Sequence, residues 1–83
     1  MTNFMQRTGS KLIGHQSRME VALDNLRSGR PYTAEMNVDS SVALADSIYV
    51  LGQVQRTPEN FGAISIATRV QRLSEQVRSY RKD

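Results

Sequence analysis

Two breaks divide this chain into three segments, and each segment repeats apolar residues at helical spacing. The first break is Arg27-Ser28-Gly29-Arg30-Pro31. It combines a base in a last helical turn, a glycine suited to the position just past a helix end, and a proline that biases its predecessor out of the helical region. The second is Thr57-Pro58-Glu59-Asn60, a helix start with a threonine N-cap, proline at the first helical position and an acid in the first turn. The expected fold is all-α: a small three-helix bundle, or a helical hairpin with a long C-terminal helix, in oligomeric form. One domain over residues 1–83 is expected, with helices near 10–27, 40–55 and 58–81.

In the first segment Met5, Leu12, Met19 and Leu26 recur at seven-residue spacing, with Ala22 and Leu23 beside them. That is one half of a heptad seam. The other half, Thr8/Gly9 and His15/Gln16, offers poor knobs, and Gly14 costs the helix roughly 1 kcal/mol against alanine. Thr8 or Ser10 is the expected cap. Residues 30–39 are polar and without period, which predicts a connecting loop ending in a cap at Asp39, Ser40 or Ser41. In the second helix Val42, Ala43, Leu44, Ala45, Ile48, Tyr49, Val50, Leu51 and Val54 surround the axis instead of lining one stripe. A helix apolar all round is normally covered on several sides. Three helices cover it poorly, which points to self-association or a docked partner helix; a monomeric core with some exposed Ala and Val is the alternative. In the third segment Ile66, Leu73 and Tyr80 take one heptad site and Val70 and Val77 the other. At about 1.5 Å per residue this helix would run about 35 Å, far enough to project past a partner hairpin.

Composition removes most chemistry. A chain of 83 residues buries only about 60–65% of its unfolded surface, so its own core is thin. The absence of cysteine excludes disulfide scaffolds, thiolate metal sites and cysteine nucleophiles. His15 is the single histidine, with no Ser–His pairing at interpretable spacing. The pairs Glu20/Asp24 and Glu35/Asp39 lack the oxygen-rich spacing of a calcium loop, and Gly9-Ser10-Lys11 lacks the order of a phosphate loop. No catalytic residue, cofactor-binding residue or metal ligand is assigned, and the chain is expected not to be an enzyme. Its start, MTNFMQRTGS, lacks the apolar region of a secretory signal. Residues 42–54, the most apolar run, are too short and are interrupted by Asp46. A cytoplasmic protein without membrane contact is expected.

The charge of +3 is unevenly spread. Arg7, Lys11, Arg18, Arg27 and Arg30 outweigh Glu20 and Asp24 by three in residues 1–31. Glu35, Asp39 and Asp46 stand without a base in residues 32–55. Arg56, Arg69, Arg72, Arg78, Arg81 and Lys82 outweigh Glu59, Glu75 and Asp83 by three in the remainder. An acidic middle between basic arms fits complementary helix faces, or a basic footprint for nucleic acid or an acidic protein. Single-strand binders interleave aromatic residues with their bases, and here only Tyr80 is near the C-terminal ones. Asp46 interrupts an apolar helix, so it needs a cationic partner, Arg18 or Arg69, unless it marks a solvent-facing edge.

These readings converge on a non-enzymatic helical protein–protein interaction module: an adaptor, inhibitor, chaperone or assembly subunit. Its expected interface is Ile66, Val70, Leu73, Val77, Tyr80 and Tyr49, with Asp46, Arg69, Arg72, Arg78 and Arg81 setting specificity. The expected partner is a second copy or a larger protein; the alternative is a small basic nucleic-acid-binding or regulatory protein.

Overall fold

The computed structural model describes residues 2–82, with side chains from residue 9 onward. It is a three-helix bundle measuring 41 × 20 × 17 Å. Helix α1 spans Thr2–Arg27, α2 Ala34–Gln53 and α3 Phe61–Arg78, and one 3-10 turn, Pro58–Asn60, leads into α3. No strand occurs among the described residues.

All three helices bury residues at alternating three- and four-residue spacing. Leu12, His15, Met19, Ala22 and Leu26 form the inner row of α1, joined by Leu23. Ser40, Ala43, Ser47 and Val50 form that of α2, and Ala67, Val70, Ser74 and Val77 that of α3. This is the heptad logic of helices packing side by side. The apolar bulk comes mainly from α1, while α2 and α3 meet through small side chains. Their serines close their own hydrogen bonds within the helix: Ser40, Ser47 and Ser74 donate to the carbonyls of Asn37 (3.2 Å), Leu44 (2.8 Å) and Val70 (2.7 Å). Among the described residues, no buried side-chain polar atom lacks a partner.

The first break behaves as its residues dictate. Gly29 adopts φ 91°, the Arg30 amide donates to the carbonyl of Asn25 and the Gly29 amide to that of Leu26, each at 3.0 Å. This is the Schellman arrangement, and glycine supplies the left-handed conformation without a Cβ penalty. At the second break Pro58 opens a 3-10 turn and not α3 itself, which starts at Phe61, and the Thr57 hydroxyl caps nothing. The Asn60 amide instead donates to the carbonyl of Gln55 (2.9 Å) and to Thr57 Oγ1 (3.2 Å), tying the connection together.

Four expectations are corrected. The first helix begins at Thr2, not near residue 10, so Ser10 lies within it; the side chains of Met5 and Thr8 lie outside the described ones. The loop over 30–39 is mostly helix. Thr33 is the N-cap, its Oγ1 accepting from the Met36 amide at 3.1 Å, and Met36 packs on the core ahead of Ser40. That period passes through a buried serine, which an apolar count skips. The long helix is α1, with 26 residues, whereas α3 has 18 and ends at Arg78.

The fourth correction concerns the seam on α3. Val70 and Val77 are fully buried inside the bundle, and their companions in the row are Ala67 and Ser74. Ile66 and Leu73 are half-buried and pack on the flank of the core. The physical reason is the partner helix. The buried row of α2 is Ser40, Ala43, Ser47 and Val50, with Ser40 accepting from Arg78 of α3, and the separation of two helices follows the size of the side chains between them. With small residues in the buried rows of both α2 and α3, Leu73 packs from the flank of the core.

Candidate functional site

The polar side of α2 faces α1. His15 is 5% exposed, and its Nε2 lies 2.7 Å from Asp46 Oδ2. Its Nδ1 lies 2.9 Å from an Arg18 guanidinium nitrogen. A guanidinium only donates, so Nδ1 accepts, and Nε2 carries the hydrogen given to Asp46. Lys11 Nζ stands 3.7 Å from the same carboxylate oxygen. Lys11, His15 and Arg18 follow one another at helical spacing, which aligns them on the α1 edge that meets α2. The partner of Asp46 is therefore His15, backed by Lys11. Arg18 reaches the carboxylate only through the imidazole, and Arg69 donates elsewhere, to Gln16 Oε1 at 3.1 Å. With both ring nitrogens engaged, His15 works as a register pin between two helices. Among the described residues, no group of three or more His, Asp or Glu is placed to hold a metal ion.

Beside this cluster, a groove of about 470 Å³ opens between α1 and the first turns of α2. Met19, Val21, Ala22 and Met36 give it apolar walls, while Arg18, Glu35 and Asp39 stand at its polar margin.

The expected specificity residues separate into distinct roles. Arg78 reaches from the last turn of α3 to the start of α2, donating to the carbonyl of Asn37 (3.2 Å), to Ser40 Oγ (3.3 Å) and to Ser41 Oγ. Arg81 donates to Asn37 Oδ1 at 3.4 Å, and Tyr32 donates to that same oxygen at 3.1 Å. Arg78 and Arg69 thus hold helices to each other. Arg72 is exposed and Asp46 half-buried.

The expected interface separates too. Val70 and Val77 belong to the core, Ile66 and Leu73 to its flank, and Tyr80 lies just past the end of α3. Tyr49 is 56% exposed and belongs to a wider apolar surface on α2. Val38 (59% exposed), Val42 (46%), exposed Ala45 and Tyr49 recur at spacings of four, three and four on α2. At 100° per residue they lie opposite the row Ser40, Ala43, Ser47 and Val50. α2 therefore carries two rows of the same period, a buried one of small side chains inside the bundle and an apolar one outside it. Val38 was missed because it fell in the expected loop. Val42 and Ala45 were visible as part of a helix apolar on every side, but their face could not be separated from the inner one while serines went uncounted.

None of the described helices is long and apolar enough to cross a membrane. No protein-family model matches the chain, and neither a curated protein nor a solved structure matches it.

Proposed function

We propose that this chain is a non-enzymatic protein–protein interaction module that docks through the outward row of α2, Val38, Val42, Ala45 and Tyr49. The observation that carries the reading is a heptad-spaced apolar row on a helix whose opposite face is already buried. Scattered exposed apolar residues are ordinary, but a contiguous row at coiled-coil spacing is the form a docking helix takes. A cytoplasmic setting belongs to this reading, as expected from the sequence. The lack of catalytic work is supported by His15, whose two nitrogens both serve the α1–α2 contact. The arginines also favour a protein partner over nucleic acid, because Arg78 and Arg69 donate within the bundle.

The test is a photo-crosslinking residue at position 49, compared with one at exposed Gln76 on α3, in cells producing the chain. Protein adducts at position 49 and none at position 76 are expected; equal labelling would refute the assignment of the surface. Light scattering with and without duplex DNA at two salt concentrations addresses the alternative. Tight DNA binding near 0.15 M salt, with a log–log salt slope steeper than about −3, would overturn the protein-partner reading.

A further inference from the structure

Resting on the reading of α2 as a docking helix, we infer that the occupant of its outward row is the same row of a second copy, running antiparallel. The charge pattern of α2 sets the direction in which two copies can pair. Its first half carries Glu35 and Asp39. Asp46 is already engaged by His15 and Lys11. Residues 47–54 carry no charge, and the next charged residue is Arg56. A parallel pair would set Glu35 and Asp39 beside their own copies and align the two macrodipoles. An antiparallel pair sets each acidic first half against an uncharged second half, and the dipoles oppose.

The row is also self-complementary in size. In the antiparallel register that pairs Val38 with the partner's Tyr49, Val42 meets the partner's Ala45, and the two-fold axis repeats both layers. Each bulky tyrosine then meets a valine at the ends, and each Val42 meets an alanine beside the axis. Glu35 falls opposite the partner's Gly52, which presents no side chain. One surface patch meets itself, so the contact closes as a dimer and does not propagate. The paired rows span 11 residue steps, about 16 Å, so the contact is smaller than a standard interface and its dimer depends on concentration.

The chain has no cysteine, so introduced thiols are the only ones present. Val38→Cys and Tyr49→Cys chains, mixed and oxidised, are expected to give a mixed disulfide dimer. Val38→Cys alone is expected to give little, because the two copies of that position stand about 16 Å apart, beyond disulfide reach. Light scattering should show a dimer at high concentration, and Val42→Asp should convert it to monomer with unchanged helical circular dichroism. Tyr49→Ala is the second variant, should the first disturb the fold. Self-crosslinking of Val38→Cys, or a larger assembly indifferent to Val42→Asp, overturns the inference. So does a monomer at every concentration. In that last case, adducts to a different protein at position 49 would preserve the docking surface and remove only the self-pairing, whereas no adducts would remove both.

Discussion

Helix α2 turns Ser40, Ala43, Ser47 and Val50 into the bundle, all closed to solvent; toward α1 it offers Asp46, bonded to His15, and Asp39, at the margin of the groove. The first contact is held by many small apolar approaches, each weak, with hydroxyls satisfied inside their own helices. The second relies on a short chain of directional bonds through one imidazole. A helix can thus be fixed on one side by shape and on the other by hydrogen-bond chemistry. The two contacts should fail in different ways.

Added volume is the sharpest way to break the α2–α3 contact. Ala43 is fully buried, and Ala43→Leu should cost about 3 kcal/mol in denaturant unfolding, since nothing at a close-packed crossing can retreat. Next comes Asp46→Ala, which leaves the His15 Nε2 hydrogen without its acceptor and should cost about 2 kcal/mol. Changing His15 and Asp46 to leucine together should recover much of that loss. A double-mutant cycle showing no coupling would remove the register-pin role. Arg78→Met should lower stability by about 1 kcal/mol, as the α3-to-α2 donations disappear from a partly solvated site. The smallest effect is expected for Ser47→Ala, within about 0.5 kcal/mol, because its hydroxyl bonds only the carbonyl of Leu44. A large loss there would mean that the hydroxyl also serves the neighbouring helix.

The fold was legible wherever backbone chemistry spoke directly. Gly29 and Pro58 mark the two breaks that separate the three helices. Phase was harder to read, because the inner rows contain Ser40, Ser47, Ser74 and His15, residues that a hydrophobic count passes over. Each owes its place to something the chain does not display linearly. The serines sit where two helices come close, and His15 sits where Asp46 needs a donor. Leu73 outranked Ser74 as a core residue on polarity alone, yet the size of the α2 side chains reversed that order. The docking row shows the same blind spot from outside: Tyr49 was visible, Val42 and Ala45 were seen without their direction, and Val38 was hidden by a helix start placed six residues late.

The small-residue contact between α2 and α3 also bears on how the chain reaches its folded state. These two helices are neighbours in sequence, joined by a connection tied through Asn60, so bringing them together closes a short loop. Helical bundles dominated by such local contacts fold within microseconds to milliseconds. A hairpin lined by serine, alanine and valine hides little apolar surface on its own, whereas α1 carries Leu12, Met19, Leu23 and Leu26. Most of the driving force therefore arrives with the helix that comes first in the sequence. Docking of α1 is therefore expected to be the cooperative step, and Leu23→Ala should speed unfolding more than Ser47→Ala does.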